Sequence, residues 1–249
     1  MSVVLVTGAA GALGSALVAR HVAAGDTVVA TDLHVPDAPP SSPGRVVAMP
    51  GDLTDDDHLA ALTARMTTMG TGLDLLVHCA GLTHRSSATT TDMAVFDRVM
   101  AVNWRAPVVL TRLVHPHLAA SRGTIVVLGS MAGWMPVLGR AGYGASKAAV
   151  ALFMESWRHE LADDGIHLLM VHPSFLESVM ADATGDTRAR SQVGTPMAVD
   201  DLVEAITTAV AAGNPWVFPD RIAHLSSLLY HVAPATYHRL MRRRFAEGL

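Results

Sequence analysis

The sequence is poor in cysteine, lysine and aromatic residues, and these shortages exclude several classes of protein. Its single cysteine, Cys79, cannot form a disulfide within the chain or supply a thiolate-rich zinc site. The net charge is −4, and no basic cluster precedes the last ten residues. The chain therefore lacks the electrostatic footprint of nucleic-acid binding, and we expect no nucleic-acid partner.

Long apolar runs are also missing. No stretch reaches the roughly 18 consecutive apolar residues that a membrane span needs. The first 19 residues are uncharged, but no Lys or Arg precedes them and glycines interrupt them, which is not typical of a signal peptide. Half of the 249 residues are hydrophobic and 16% are charged. We therefore expect a cytoplasmic protein with a single domain, residues 1–249, built around one large core.

Short β-branched runs alternate along the chain with longer alanine-rich stretches. The runs predict strands at 3–7, 27–31, 46–49, 73–78, 124–128, 167–172 and 216–218. The stretches predict helices near 12–24, 55–69, 92–101, 104–120, 142–163 and 200–212. Several runs are continuously apolar, as in parallel strands that are covered on both faces. The alternation predicts an α/β fold, a single doubly wound parallel sheet, Rossmann-like, with helices on both faces.

Three segments depart from this alternation. Residues 34–44 are rich in proline and serine, which predicts a loop in place of a helix. Residues 175–200 form a long irregular stretch, which predicts a substrate lid. Residues 219–249 carry apolar residues at roughly helical spacing and include three consecutive arginines. They predict a divergent helical segment that packs on the body, covers the substrate or touches a membrane surface.

Three glycines, Gly8, Gly11 and Gly14, separate the first predicted strand from the first helix. Glycine permits a tight turn there and lets the backbone approach a pyrophosphate, while the helix N-terminus presents N–H groups to the anion. The order of strand, turn and helix favours a dinucleotide site over a glycine-rich structural turn.

Asp32 ends the second predicted strand. A carboxylate here accepts hydrogen bonds from both adenosine ribose hydroxyls and repels a 2′-phosphate. Ser15, Leu33 and His34 offer no Lys or Arg that would bind such a phosphate. We therefore predict NAD rather than NADP, the alternative being that Asp32 is only a turn residue.

Lys147 is the only lysine among the 18 basic residues, and it lies four residues after Tyr143. In a helix this spacing places both side chains on one face. A phenol with an ordinary pKa of about 10 is a poor base at neutral pH, but a nearby ammonium favours the phenolate. Lysine can also give up its proton, whereas arginine cannot. The pair predicts a general acid/base tyrosine assisted by an ammonium.

Six short motifs follow one another in the chain. They are TGAAGALG at 7–14, HCAG at 78–81, VN at 102–103, LGSMAG at 128–133, YGASK at 143–147 and HPSFLES at 172–178. In this order they resemble the short-chain dehydrogenase/reductase family, of its short type. The resemblance covers residue 3 to about residue 180 and implies an NAD(H)-dependent oxidoreductase that interconverts an alcohol, expected to be apolar, and a ketone or aldehyde.

The resemblance implies four catalytic residues. Tyr143 would move the alcohol proton, and Lys147 would lower the pKa of Tyr143 and hold the nicotinamide ribose. Ser130 would hydrogen-bond the substrate oxygen, and Asn103 would support Lys147 through a water. Taken alone, Ser130 also fits a strand-end turn and Asn103 a helix cap.

The resemblance also implies the binding residues. Cofactor contacts are expected from Gly8, Gly11, Ala12, Leu13, Gly14, Asp32, Asp52, Leu53, Cys79, Ala80, Gly81, Tyr143, Lys147, Pro173 and Ser178. Substrate contacts, mostly apolar, are expected from Met131, Trp134, Met135, Leu138, Phe175, Leu176, Met180 and His84. The 13 histidines form no i,i+4 pair with acidic support, so we expect no metal. We expect a homodimer or homotetramer whose interface uses helices 104–120 and 142–163.

Three positions depart from the usual pattern of the family. Ala12 produces a TGxxGxxG spacing that is more usual in the extended relatives, which include epimerases and dehydratases. His78 stands where an asparagine is usual, and Ser174 replaces a glycine after Pro173. Two other functions stay open: an NAD-retaining sugar-nucleotide epimerase or dehydratase, and an NAD-binding regulatory or scaffold protein without turnover.

Overall fold

The apolar runs of the sequence form parallel strands of one sheet. The computed structural model describes residues 1–35, 42–177, 180–184 and 196–245, with side chains as far as Arg243. Within these residues the strands are β1 (Val3–Thr7), β2 (Thr27–Thr31), β3 (Arg45–Ala48), β4 (Leu75–His78), β5 (Thr124–Leu128), β6 (His167–Val171) and β7 (Trp216–Val217). They lie in the order β3-β2-β1-β4-β5-β6-β7, and the winding reverses at β1. The predicted doubly wound fold is confirmed.

Helices connect the strands and cover both faces of the sheet. They are α1 (Ala12–Ala23), α2 (Asp56–Met69), α3 (Met93–Met100), α4 (Ala106–Ser121), α5 (Ala141–Asp163), α6 (Val199–Ala212), α7 (Arg221–Val232) and α8 (Pro234–Phe245). Successive side chains of a strand point to opposite faces, so Leu5 packs towards α2, α4 and α5, while Val4 and Val6 pack towards α1 and α6. The sheet is thus held between two hydrophobic clusters, one on each face, and the functional loops project from its edge.

The connection between α3 and α4 differs from the prediction. The sequence predicts two helices at 92–101 and 104–120, but a π-helical turn, Ala101–Arg105, joins α3 directly to α4. Such a turn adds a residue to the helical repeat and is frequent at functional sites. Here it carries Asn103, whose side chain is only 1% exposed.

The first residues of the predicted strand 73–78 are held outside β4. The Leu73 N–H donates to the carbonyl of His117 at 2.9 Å, and the Asp74 N–H donates to the carbonyl of Val3 at 3.0 Å. Only the first of these bonds leaves the sheet, since Val3 belongs to β1, and strand β4 begins at Leu75.

Two helices, α7 and α8, make up the described part of the C-terminal segment. Helix α7 ends at Val232, and α8 begins at Pro234 after the single residue Ala233. Pro234 cannot donate the backbone hydrogen bond that would continue α7. Several apolar side chains of α7 are exposed, namely Ile222, Leu225, Leu228 and Val232. Among the described residues no helix is both long enough and apolar enough to cross a bilayer.

Candidate active site

Parallel strands place their carboxyl ends at one edge of a sheet, and the predicted site residues follow those ends. The glycine loop follows β1, Asp32 follows β2, and Cys79, Ala80 and Gly81 follow β4. Ser130 follows β5, and Pro173 follows β6. Ligands of doubly wound folds bind in the crevice at this edge, where the winding reverses.

The glycine loop has the geometry of a pyrophosphate cradle. Gly8 has a φ of +68°, and a Cβ at this residue would lie 2.6 Å from the backbone nitrogen of Ala80. A Cβ at Gly14 would lie 2.1 Å from the carbonyl oxygen of Gly8. Gly11 caps α1 without a side chain, and the first turn, which contains Ala12 and Leu13, has no acidic residue. The N–H groups of that turn are therefore accessible to an anion.

Two carboxylates lie near the expected adenosine position. Asp32 accepts hydrogen bonds from the backbone of Ala10 at 3.0 Å and of Leu33 at 2.7 Å, so the glycine loop holds its orientation. Asp52 accepts hydrogen bonds from both the N–H and the hydroxyl of Thr54 at 2.8 Å. Leu53 is buried beside it.

His78, which stands where an asparagine is usual, is buried and pairs with a hydroxyl. Its Nε2 lies 2.8 Å from Oγ1 of Thr111. Burial, with a smaller contribution from the charge of Lys147, lowers the pKa of His78 to about 3. A neutral imidazole therefore replaces the amide hydrogen bonds of the usual asparagine. Burial also raises the pKa of the adjacent Cys79 thiol to about 12, which leaves it unreactive.

Asn103 links the loop after β4 to α5. Its Oδ1 accepts a hydrogen bond from the Leu82 N–H at 2.8 Å, and its Nδ2 donates to the Leu82 carbonyl at 2.9 Å and to the Ser146 hydroxyl at 2.9 Å. A Cβ on Gly81 would lie 3.3 Å from Oδ1 of Asn103 and 3.7 Å from Nζ of Lys147. The side chains of Asn103 and Lys147 thus both lie beside Gly81, and Asn103 holds the loop after β4 to α5.

Ser130 lies close enough to Tyr143 for its hydroxyl to influence the pKa of the phenol. Ser130 lies two residues after the end of β5 and caps a short 3₁₀ turn, Met131–Gly133, by accepting a hydrogen bond from the Ala132 N–H at 3.1 Å. Burial raises the pKa of Tyr143, while the Ser130 hydrogen bond and the charge of Arg140 oppose that rise. The phenol is therefore protonated at neutral pH in this structure.

Lys147 lies one turn after Tyr143 on α5 and is almost fully buried. Its Nζ donates to the Leu128 carbonyl at 2.6 Å. Burial lowers the pKa of Lys147 to about 8, against the attraction of Cys79. Burial is the largest influence on the pKa of Tyr143, and Arg140 supplies a positive charge that opposes it; the predicted effect of Lys147 on this pKa stays a prediction.

The predicted substrate residues do not form one cluster. Met180 lies beside Gly81, because a Cβ on Gly81 would come within 2.8 Å of its Cε. His84 Nδ1 lies 3.2 Å from Oδ1 of Asp182, and its Nε2 lies 2.7 Å from the Ser86 hydroxyl. These contacts join the loop after β4 to the segment at 180–184, which the sequence assigns to the lid.

Trp134 belongs to a cluster of aromatic rings. Its Nε1 donates to Nδ1 of His172 at 3.1 Å, and its ring meets Phe218 edge-on at 5.4 Å. Phe218 in turn stacks on His172 and on His224 of α7. Burial lowers the pKa of His172 to about 4, so this histidine is neutral. Since Trp134 directly follows the 3₁₀ turn Met131–Gly133, these rings lie next to the turn that Ser130 caps.

The remaining predicted residues show other surroundings. Met131 is 2% exposed, Met135 and Leu138 are partly buried in the turn that follows it, and Phe175 is partly buried. Leu176 packs on the core beside α1 and α6 and pairs with Met197. Ser178 lies outside the described residues.

The loop after β6 is tied to the C-terminal helices. Pro173 accepts a hydrogen bond at its carbonyl from the Met131 N–H at 3.0 Å. Ser174, which replaces the usual glycine, donates to Oδ2 of Asp220 at 2.5 Å. The other oxygen of Asp220 caps α7 through the N–H groups of Ile222 and Ala223. Ser174 thus ties the loop after β6 to the residue that caps α7.

Two further features at the site are not among the predicted residues. Arg140, the N-cap of α5, places its guanidinium carbon 5.7 Å from the centre of the Tyr143 ring, and its position three residues before Tyr143 could have indicated this. Tyr237 of α8 donates to the Pro136 carbonyl at 2.7 Å, a contact between residues 101 positions apart that no local pattern indicates. Within the described parts of the chain, His, Cys, Asp and Glu side chains nowhere gather in threes that could hold a metal ion.

Comparisons with known proteins give a consistent result. A family model described as short chain dehydrogenase matches residues 2–189. The 2-(R)-hydroxypropyl-CoM dehydrogenase of Xanthobacter autotrophicus is 35% identical over 190 residues, which cover 72% of this chain and 76% of that protein.

Solved structures with the same fold differ in the cofactor that they contain. A short chain dehydrogenase of Burkholderia cenocepacia in complex with NADP has a TM-score of 0.81 at 23% identity, covering 96% of this chain and 97% of its own. A short chain dehydrogenase/reductase of Burkholderia phymatum in complex with NAD has a TM-score of 0.81 at 18% identity, covering 94% of each chain. At these identities the likeness concerns the fold.

Proposed function

The chain belongs to the short-chain dehydrogenase family of oxidoreductases, and on that premise we propose that it interconverts an alcohol and a ketone or aldehyde with NAD(H). The observation that carries this proposal is the buried group of Ser130, Tyr143 and Lys147 beside the glycine cradle. When bound, the nicotinamide supplies or accepts the hydride.

Tyr143 is the proposed proton donor and acceptor. Because burial raises its pKa, the phenol holds its proton at neutral pH and can deliver it to a carbonyl oxygen in the direction of reduction. Ser130, whose hydroxyl lies near enough to lower the pKa of the phenol, is the proposed donor to the same substrate oxygen. In the direction of oxidation Tyr143 must act as a base, and the positive charge of Arg140 favours the phenolate.

Lys147 is proposed to hold the nicotinamide ribose and to replace the proton of Tyr143. A pKa of about 8 allows this ammonium to lose and regain a proton near neutral pH. An arginine stays protonated and cannot do so. Asn103 fixes the loop that covers this group, and so positions Lys147 relative to Gly81.

We propose NAD rather than NADP as the cofactor. Asp32 is oriented by the Ala10 N–H at the end of β2, where a ribose 2′-phosphate would meet its negative charge. Neither Leu33 nor His34 supplies a strong cation to compensate. The Kd values of NADH and NADPH test this directly, and tighter binding of NADPH would overturn the assignment.

We further propose a homodimer that uses α4 and α5. A cavity of about 720 Å³ lies on this side of the protein, lined by Met100, Trp104, Leu152, Phe153 and Trp157 among others. Leu152 is 72% exposed within this apolar surface. A second copy would cover it, and Leu152→Arg should then shift the mass measured by light scattering to that of a monomer. A variant that keeps the wild-type mass would argue against this interface.

Contact with a membrane surface stays a prediction. The exposed apolar face of α7 and the exposed Arg239, Arg242 and Arg243 of α8 support it. Co-sedimentation with vesicles that contain anionic phosphatidylserine tests it. Recovery of all the protein in the supernatant would exclude the contact.

The experiment that tests the proposed function is turnover at 340 nm with NAD(H) and a panel of secondary alcohols and their ketones. We expect wild type to turn over members of this panel and Tyr143→Phe to lose about 10²- to 10⁴-fold in kcat, the usual share of an acid–base residue. An epimerase or dehydratase would instead retain NAD through purification and need none added. A scaffold protein would bind NADH and show no difference between wild type and Tyr143→Phe.

A further inference from the structure

Three side chains outside the group around Tyr143 are arranged like a nucleophile with its base. Oγ of Ser86 lies 2.7 Å from Nε2 of His84, and Nδ1 of the same ring lies 3.2 Å from Oδ1 of Asp182. We call these three residues the Ser86 triad. A hydroxyl, an imidazole and a carboxylate in this order recur on unrelated folds as nucleophile, base and orienting group.

Main-chain hydrogen bonds hold the parts of the chain that carry the Ser86 triad. The Thr83 N–H donates to the Ala181 carbonyl at 2.9 Å, and the Ala183 N–H donates back to the Thr83 carbonyl at 2.8 Å. The Ser86 N–H donates to the Gly139 carbonyl, also at 2.9 Å. The carboxylate and the hydroxyl are therefore held relative to the imidazole by the backbone as well as by their own side-chain contacts.

The carboxylate determines which nitrogen of His84 carries the proton. Burial raises the pKa of Asp182, but hydrogen bonds from Thr184 and His84 outweigh burial and lower this pKa overall. An ionised carboxylate only accepts hydrogen bonds, so Nδ1 of His84 carries a proton and donates it to Asp182. In the neutral imidazole Nε2 is then an acceptor, and the atom within its reach is Oγ of Ser86.

The Ser86 hydroxyl is the accessible member of the triad. The side chains of His84 and Asp182 are only 9% and 8% exposed, whereas Ser86 is partly exposed. The Thr91 hydroxyl contacts Oγ of Ser86 as well, and it donates to the Ser87 carbonyl at 2.7 Å. Ser86 is thus held between an imidazole and a second hydroxyl, and a small ligand can reach its oxygen from solvent.

We propose that the Ser86 triad is a second catalytic site, which hydrolyses carboxylic esters with short acyl groups. Oγ of Ser86 forms a bond to the ester carbonyl carbon while its proton passes to Nε2 of His84. The alcohol leaves with that proton, and the acyl group stays on Ser86. Water then attacks the acyl carbon and gives a proton to His84, the bond from carbon to Oγ breaks, and Ser86 regains its proton as the carboxylic acid leaves. No hydride is transferred, so this activity goes beyond the alcohol–ketone chemistry and does not depend on it.

Covalent labelling tests whether Ser86 is the nucleophile. A fluorophosphonate, which reacts with activated serines, is incubated with the protein without NAD(H), and peptide mass spectrometry locates the label. Ser87→Ala is the matched control, because it removes the neighbouring and more exposed hydroxyl. We expect the label on Ser86 in wild type and in Ser87→Ala, and no label in Ser86→Ala. An unlabelled wild type, or a label on Ser87 instead, would overturn the proposal.

Hydrolysis of p-nitrophenyl acetate without NAD(H) tests turnover. Ser86→Ala and His84→Gln should each lower kcat about 10²- to 10⁴-fold. The double variant should lose no more than either single variant, because the two residues act as a unit, and Ser87→Ala should keep the wild-type rate. Circular dichroism verifies that the variants fold. A wild type no faster than Ser86→Ala, or losses that multiply in the double variant, would contradict a shared catalytic role.

Asp182 is a positioning residue of the triad, because it touches His84 and not the substrate. Asp182→Asn keeps an acceptor for Thr184 but no longer fixes the proton on Nδ1 of His84. We expect kcat for p-nitrophenyl acetate to fall about 10²- to 10⁴-fold with KM unchanged, and Asp182→Glu to recover part of the loss. A change in KM alone would show that Asp182 only shapes the surface, and would overturn its place in the triad.

Discussion

The two halves of the crevice are built by different means. On the nucleotide side, which comprises the loops after β1, β2 and β4, the backbone makes the shape: Gly8 and Gly14 bring main-chain atoms together with no room for a methyl group. On the substrate side, which comprises the loops after β5 and β6 with α7 and α8, side chains from distant parts of the sequence make the shape. Trp134, His172 and Phe218 meet there through their rings.

This difference predicts different responses to substitution. A loop that contacts the ligand through its backbone tolerates almost no added atom. The pyrophosphate that it would contact is the same in any dinucleotide. A wall of side chains can be repacked at moderate cost, and each repacking changes what fits beside Ser130. Changes on the nucleotide side should therefore affect cofactor binding and folding, whereas changes on the substrate side should affect specificity.

The largest effect is expected from Gly14→Ala. The new Cβ would lie 2.1 Å from the Gly8 carbonyl oxygen, so the loop must move. We expect a loss of about 2 to 3 kcal/mol in the free energy of unfolding by urea, together with loss of NADH binding. Gly11→Ala is the matched control for stability, because its Cβ meets its nearest atom at 3.3 Å. Equal stability of the two variants would contradict the backbone account of this side.

A comparable effect of opposite sign is expected from Lys147→Met at the junction of the two sides. Burial lowers the pKa of Lys147 from 10.5 to about 8, so at pH 7 the fold holds an ammonium that it disfavours by about 3 kcal/mol. Removing this charge should stabilise the protein by up to that amount, less the lost hydrogen bond to Leu128, and should abolish turnover.

The pH dependence of this gain in the free energy of unfolding tests whether the buried ammonium of Lys147 is its cause. Between the folded pKa of about 8 and the unfolded pKa, the unfolded wild type binds more protons than the folded form, so its stability rises with pH. The advantage of Lys147→Met in urea unfolding should thus shrink from pH 7 to pH 10. An advantage that stays constant or grows over this range would exclude the buried ammonium as its source.

An intermediate effect is expected from Trp134→Ala on the substrate side. The change removes the hydrogen bond to His172 and the ring contact with Phe218. Since Trp134 is partly buried, we expect a loss of about 2 kcal/mol, measured by urea unfolding, and a changed order of preference among ketones. NADH affinity should stay within about twofold of wild type. A larger fall would contradict the claim that the substrate side does not contribute to cofactor binding.

The smallest effect is expected from Tyr237→Phe. It removes one hydrogen bond, to the Pro136 carbonyl, and keeps the ring. We expect a loss of about 1 kcal/mol, seen as faster amide exchange in α8 with NADH binding unchanged. Unchanged exchange in α8 would show that this contact does not hold the helix.

The nucleotide side can be predicted from the sequence better than the substrate side, because its residues are recognised by local spacing and the others by tertiary packing. A sequence shows the spacing of residues within one strand, turn or helix. This spacing is enough to identify Gly8, Asp32 and the Tyr143–Lys147 pair. The contact of Tyr237 with Pro136 depends on tertiary packing, which no local period encodes. Burial, a property of the whole fold, raises the pKa of Tyr143, and the spacing of Tyr143 and Lys147 does not reveal it.

The most direct test of the proposed mechanism is the turnover of Lys147→Arg at 340 nm. The variant keeps a positive charge at position 147 but cannot exchange a proton near neutral pH. With folding verified by circular dichroism and NADH binding measured in parallel, we predict that kcat falls by about 10²-fold or more. A variant that folds, binds NADH and turns over at the wild-type rate would contradict the role assigned to the only lysine of the chain.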